Sequence, residues 1–395
     1  METNVLVVGA GPAGVASSIT LSQRGIDHVL IDRAVFPRDK VDGNAFGQDL
    51  LAAFDRLNRA DLAAALLASP DLLPCPAGAW IFSDRGDRYQ PPLPRLADQA
   101  PIYTMDRQAM DALLLEFVDR STADLRLGCE LVALEPAGDR LAAVLKIGEQ
   151  TETLHPKLVI GADGARSRVA SLLLNPTEDP TDRALTLHRY YRNVAGFEQP
   201  HIEAHYIQPL LPGFLFIAPL ADGRFKVGLG TRADRIGNDP ARLSGLLAEV
   251  IAAKPWLRER LATAEPITEP ETWPMTFGGS AQIRRSGDRV LLAGDAAGLC
   301  NPLTGFGTAK AIDSGRLAAA VAATAIRVGQ FDRAALSAYD RDLQRLFDQE
   351  FVLSRRINRW NQSPWFMNFL TGRSLPRRLL QSAKTLHRWD ALVQV

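Results

Sequence analysis

Material for disulfides, for thiolate metal sites and for membrane spans is scarce in this chain of 395 residues. Its three cysteines, Cys75, Cys129 and Cys300, are too few and too widely spaced for a disulfide framework or a metal pattern, and they fit a reducing compartment. Neither sign of charge is in excess: 45 lysines and arginines face 45 aspartates and glutamates, so no global field points to nucleic acid. Long apolar runs are missing. The longest, near residues 317–326, is far short of the roughly 20 residues that a bilayer requires. No signal peptide fits at the start, because strand-forming residues begin by position 4 and belong to the fold. Repeats and low-complexity segments are absent as well. What remains is an ordinary globular balance, 46% hydrophobic and 23% charged, long enough for two or three domains, with the cytoplasm as the default expectation.

The rest is organised around residues 4–14. Val5 to Val8 has the apolar character of a buried parallel strand, and Gly9, Gly11 and Gly14 follow in the spacing G-x-G-x-x-G. Gly9 permits the tight turn, Gly11 lets a pyrophosphate approach the backbone, and Gly14 allows close helix–strand packing. An alanine-rich helix over 15–24 then offers its positive N-terminal end to phosphates. A second strand from His28 ends at Asp32, placed to accept bonds from a ribose. Strand, turn, helix, strand and acid in that order read as a dinucleotide site.

Further along, the polar loop 34–50 carries Arg38 and Lys40, which face phosphate or ribityl oxygens or else only solvent. A helix is expected over 50–68, and strands with turns over the proline-rich 71–102. Arg107 opens a helix expected over 108–119; it either reaches the cofactor or pairs with Asp111 one turn on. Residues 125–149 alternate as a hairpin or meander. Leu158 to Gly164 is another buried strand ending in Gly-Ala-Asp-Gly, with a helix over 165–174. Residues 185–276 are rich in strand signals, with Asp222-Gly223 as a hairpin turn and a helix over 240–253. The buried strand over 288–295 then ends in Ala-Gly-Asp, and the turn 301–307 leads into a helix over 308–328. The expected class is α/β (α+β overall): a Rossmann-like nucleotide-binding domain from 1–75, 101–180 and 281–330, an antiparallel-sheet substrate domain from 76–100 and 181–280, and a basic, aromatic helical region 331–395. That last region either caps the substrate cavity or contacts a membrane surface or a partner. No metal is expected, because His201 and His205 on one strand face stand about 13 Å apart.

Three motifs in order, G-x-G-x-x-G, Gly-Ala-Asp-Gly and Ala-Gly-Asp-Ala-Ala-Gly, resemble those of the FAD-dependent oxidoreductases that include aromatic-ring monooxygenases, flavin-dependent halogenases and geranylgeranyl reductases. The resemblance implies that Gly9, Gly11, Gly14 and Asp32 hold the ADP half, with Ala13 and Arg33 as further cofactor-binding candidates. It also implies that Asp163 and Gly164 support the pyrophosphate region, and that Gly294 and Asp295 meet the ribityl chain. Arg38, Lys40 and Arg107 are further candidates. Pro302, Gly305 and Gly307 let the chain run flat against a planar ring, and the helix that follows points its positive end at the flavin's pyrimidine edge.

The closest local likeness is to the geranylgeranyl-reductase-like branch, through Phe36-Pro37-Arg38-Asp39-Lys40-Val41, His188 to Val194, Leu211-Pro212-Gly213-Phe214 and Asn301 to Gly305. Departures fall at its active-site positions: Asp42 where that branch often has cysteine, Phe214 and Phe216 for an aromatic pair containing tryptophan, and Phe306 for an acid. The halogenase tryptophan motif is absent, and neither Lys40 nor Lys310 matches a halogenase lysine. The resulting expectation is a monooxygenase that hydroxylates an electron-rich, aromatic substrate through a flavin C4a-hydroperoxide. The alternative is a geranylgeranyl-reductase-like enzyme that reduces alkene bonds of an isoprenoid; a halogenase or a flavoprotein without turnover stands behind both. Tyr191, Phe214, Phe216, Trp273 and Phe306 are the candidate pocket lining, with no catalytic side chain named. The electron source is NAD(P)H or a separate flavin reductase.

Overall fold

The computed structural model describes residues 1–371 except 39, 41–42, 92–99, 175–178, 238 and 281–282. Asp42 and residues 372–395 of the expected C-terminal region therefore lie outside the described residues.

Strand Glu2–Val8 is buried from Val5 onward and sits at the centre of a parallel sheet, between Gln150–Gly161 and His28–Asp32. Val290–Leu292 continues the sheet on one side and Ala123–Leu127 on the other. Burial on both sides explains why these strands read as apolar runs rather than alternating ones. The outer half of Gln150–Gly161 pairs antiparallel with Arg140–Ile147, and that strand with Cys129–Ala137, which is the meander expected over 125–149. Helices Pro12–Gln23 and Thr308–Val328 cross in close contact on this sheet. A Cβ on Gly315 would lie 2.1 Å from the Ala13 carbonyl oxygen, so only glycine fits there.

The second sheet runs Glu265–Pro266, Arg183–Arg192, Phe225–Arg232, Phe214–Pro219, Ile202–His205, Ala79–Phe82 and Arg88–Tyr89, with Glu271–Thr276 also on Arg183–Arg192. It is antiparallel except where Ile202–His205 runs parallel to Ala79–Phe82. The two-residue period divides its side chains. Leu187, Leu215, Ile217, Val227 and Leu229 form a core shared with Leu243, Leu247 and Val250 of helix Pro240–Ala253 and Leu257 of helix Pro255–Leu261. The other face carries Thr186, His188, Phe214 and Phe216. A small third sheet, Ala45–Gly47, Ile102–Met105 and Leu72–Cys75, meets the second where Thr104 Oγ1 donates to the Pro219 carbonyl at 2.6 Å.

Helices 240–253 and 308–328 have the bounds that their sequence signals set. The single helix expected over 50–68 is instead two, Gln48–Arg56 and Ala60–Leu67, because Asn58 takes a left-handed conformation (φ 57°) between them. The helix expected over 165–174 is only Arg168–Leu173, since Ser167 caps its start. Beyond residue 330 the described chain forms Arg333–Leu336, Ala338–Trp360 and Pro364–Thr371. Phe347 and Phe351 of the middle helix enter the main core. No helix among the described residues is long and apolar enough to cross a membrane.

Candidate functional site

At the carboxyl ends of the parallel strands lies a cleft of about 640 Å³. The glycine turn forms one wall. Gly9 has φ +99°, and a Cβ there would meet the Ala162 carbonyl oxygen at 2.4 Å; a Cβ on Gly14 would meet the Gly9 carbonyl oxygen at 1.7 Å. Both glycines are therefore forced by backbone contact. Gly11 differs: its Cβ would meet only Arg38 Nη2, at 3.5 Å, so it faces the cleft and leaves room for a ligand. The helix behind it has Pro12 in its first turn and no acid there, leaving its N–H groups and positive end free for an anion.

Asp32 closes the turn, accepting from Ala10 N through Oδ2 and from Ala34 N through Oδ1, each at 2.9 Å. Arg38 lies 3.9 Å from Asp32 and 3.2 Å from Asp111. Arg107 is buried, binds Asp111 with Nε at 2.9 Å and Nη2 at 2.7 Å, and also borders the cleft. Asp163 faces the cleft but spends its oxygens locally, on Ser167 Oγ (2.6 Å) and the backbone N–H groups of Arg168 and Val169. Burial pushes its carboxyl above the ordinary range, against those hydrogen bonds. Across the cleft, Lys40 Nζ stands 3.6 Å from Asp295 Oδ2, and Gly294 N donates to Ser314 Oγ at 2.9 Å.

Of the candidate cofactor residues, all but Gly14 and Pro302 line this cleft. Gly14 is packed beneath it, and Pro302 lines a second chamber of about 570 Å³. Gly43, Gly305, Gly307 and Thr308 border both spaces, so the cleft and the chamber meet at the start of helix Thr308–Val328. The turn 301–307 is held rigidly there. Asn301 Oδ1 accepts from Leu303 N and Thr304 N at 2.8 and 3.0 Å, and Asn301 Nδ2 donates to Glu350 and to Ser354 Oγ.

The chamber is mostly apolar, with Phe214, Phe216 and Phe306 in its wall. Tyr191 is not there. It packs with the core on the helix-covered face of the second sheet, one step out of phase with Thr186 and His188. Trp273 borders the cleft rather than the chamber, with the Arg166 guanidinium 5.0 Å over its ring. The polar groups in the chamber wall lie outside the candidate site residues, although His188 opens one of the stretches that resemble the reductase-like branch. Lys310 Nζ is paired with Glu350 Oε1 at 2.8 Å, both side chains almost fully buried, and Glu350 Oε2 has no hydrogen-bond partner among the described residues. Lys226 Nζ donates to Asn44 Oδ1, and His188 Nδ1 is without a partner. Burial, then the Lys226 charge, holds His188 well below the usual histidine range, so its ring is neutral at pH 7.

On the helix-covered face, the two oxygens of Glu203 accept from His201 Nε2 (3.1 Å) and His205 Nε2 (3.0 Å), and Arg260 Nη2 adds a third contact at 2.8 Å. Burial alone would raise the Glu203 carboxyl, but these partners more than reverse it, to about 2. The histidines serve this carboxylate, and no group among the described residues is arranged to hold a metal ion.

The model of the family described as "FAD binding domain" matches residues 2–349. Among curated proteins, the chain is similar to digeranylgeranylglycerophospholipid reductase of Methanosarcina mazei, 26% identical over 82% of this chain and 76% of that protein. It is also similar to menaquinone reductase of Mycobacterium tuberculosis, 29% identical over 80% of this chain and 76% of the relative. Among solved structures, a geranylgeranyl bacteriochlorophyll reductase-like protein from Thermoplasma acidophilum superposes with TM-score 0.79, covering 99% of both chains at 19% identity. A p-nitrophenol 4-monooxygenase from Pseudomonas putida gives TM-score 0.68, covering 100% of this chain and 96% of that one at 18% identity. At those identities the structures attest the fold.

Proposed function

Because the chain belongs to the FAD binding domain family and is an FAD-dependent oxidoreductase, we propose that it reduces carbon–carbon double bonds in an isoprenoid chain. The observation that carries this reading is the apolar chamber that meets the nucleotide cleft only around Gly43 and the 305–308 turn. Its wall suits a hydrocarbon, and the two curated relatives are named digeranylgeranylglycerophospholipid reductase and menaquinone reductase. Hydroxylation, the first expectation from the sequence, has the shared fold and the three phenylalanines in its favour.

The residues fit FAD. Gly11 leaves open exactly the space a side chain would fill, two helix N-termini without acids face the cleft, and Asp32 and Asp295 stand at strand ends where hydroxyls arrive. FAD, when bound, supplies the two-electron chemistry. The chain does the rest. The positive end of helix Thr308–Val328 favours negative charge at the junction of the two spaces. Asn301 keeps the turn from yielding, and the apolar wall excludes water. Adding a hydride to an alkene also requires a proton, and Lys310 Nζ, 2.8 Å from Glu350 Oε1 in the chamber wall, is the group we assign to hold it. Electrons come from NAD(P)H or from a separate flavin reductase; anaerobic mixing with each nicotinamide separates these.

The test is product mass. Reduced, FAD-loaded protein incubated without oxygen with a geranylgeranyl lipid should yield product richer by two hydrogens for each bond reduced. Unchanged lipid without oxygen, together with an oxygenated aromatic product in air, would overturn the proposal in favour of hydroxylation.

A further inference from the structure

Large hydrophobic side chains are rarely left in water together, yet the end of the described chain does this. Val352 is 49% exposed, Trp360 61%, Trp365 68% and Phe369 47%. They are not scattered: Trp365 stacks on Phe369 at 5.6 Å, and Trp360 meets Phe366 at 5.7 Å. Arg356 and Arg359 are exposed on the same stretch, and residues 351–371 contain no acid. From 351 to the end the sequence has eight lysines and arginines against the single acid Asp390. This surplus of seven stands in a chain whose total is zero, so the first 350 residues carry the opposite excess.

We propose that the face formed by the end of helix Ala338–Trp360 and by helix Pro364–Thr371 docks on a bilayer surface rich in anionic lipid. Exposed tryptophan and phenylalanine favour the headgroup boundary, and a local positive surplus is drawn to anionic headgroups. Charge decides against a second copy of the chain as the occupant, because a two-fold contact would set the exposed Arg356 and Arg359 against their own copies.

The inner side of the same helix joins the patch to the chamber. Met367 and Phe366 pack with Ile81, Ala204, Tyr206 and Phe214, all four of which line the chamber. An apolar chain leaving the bilayer at this face thus passes to the chamber wall beside one short helix. Docking stands apart from the reaction; only this delivery rests on the isoprenoid reading.

The test is co-sedimentation of the full-length, FAD-loaded protein with vesicles of phosphatidylcholine alone or mixed with phosphatidylglycerol. The wild type should pellet with the mixed vesicles and far less with phosphatidylcholine, and its tryptophan fluorescence should be quenched by brominated lipid. Trp365→Ser with Phe369→Ser, both exposed and safe for the fold, should lower the bound fraction about tenfold. Arg356→Gln with Arg359→Gln should lower it for the anionic vesicles only. Equal binding by the double aromatic variant, or a wild type that stays in the supernatant with anionic vesicles, would overturn the proposal. So would a dimer in solution that the same variant makes monomeric. Vesicle binding without any isoprenoid reduction would leave docking intact and remove only the reaction.

Discussion

In the cleft at the strand ends the chain turns its backbone inward, whereas in the chamber behind it side chains from many separate segments make the wall. The cleft depends on Gly9, Gly11, Gly14 and Gly164, on two helix starts, and on carboxylates at strand ends. The chamber takes Thr186 and His188 from one strand, Phe214 and Phe216 from another, and Lys310 and Glu350 from two helices. Backbone geometry tolerates almost no change and leaves a spaced signature. A wall of side chains can be rebuilt residue by residue while the fold persists, which is how one architecture accommodates reductases, halogenases and monooxygenases.

The sharpest way to break this contrast is within the glycine turn itself. Gly14→Ala sets a Cβ against the Gly9 carbonyl, backbone on backbone, and should cost more than about 3 kcal/mol, seen as a chain that fails to fold or melts far below the wild type. Gly11→Ala, with open space before it, should keep the wild-type melting temperature while FAD affinity by fluorescence titration falls at least about tenfold.

Next in size is the ion pair in the chamber wall. Glu350→Ala leaves Lys310 buried without its partner and should cost about 3–5 kcal/mol in denaturant unfolding. Lys310→Met with Glu350→Leu should recover most of that, since neither charge is then stranded, but should lose reduction if Lys310 holds the proton.

Acid tests the far side of the second sheet. Glu203 has a folded pKa of about 2, below its ordinary value, so its contribution is complete above about pH 4.5 and is lost as pH falls from there toward 2. The total is about 3 kcal/mol. Burial depresses His205 too, so protonation below its ordinary value of 6.5 opposes folding in the same direction. Melting temperature should therefore fall from pH 6.5 downward, and the portion below pH 4.5 should largely vanish in Glu203→Gln, which starts lower at pH 7.

The smallest effect on stability belongs to the wall. Phe214→Ala should destabilise by only about 1 kcal/mol, because the ring is only partly buried. FAD affinity should stay within about twofold while substrate affinity drops about tenfold.

The same contrast explains what could be read from the sequence. Helix 308–328 and the strand–turn–helix at the start were legible because their signals are local: a glycine spacing, a Pro/Gly start, a Gly329 stop in the left-handed region. Tyr191 was assigned to the wrong face because strand Arg183–Arg192 is buried on both sides, under helices on one and against the chamber on the other, so alternation carries no phase there. Trp273 went to the wrong space because nothing local distinguishes a chamber wall from a cleft rim. Lys310 and Glu350 lie 40 positions apart on different helices, and a buried ion pair has no sequence signature. Gly315 did leave a trace, a glycine inside an alanine-rich helix, where its cost makes sense only if another backbone approaches.

If a flavin held in the cleft passes its electrons to an isoprenoid in the chamber, the flavin's colour reports the transfer. With the flavin fully reduced and oxygen rigorously absent, addition of a polyprenyl lipid should restore the oxidised visible band in proportion to the lipid added. A flavin that stays bleached through that addition, and regains its colour only when air enters, would contradict it.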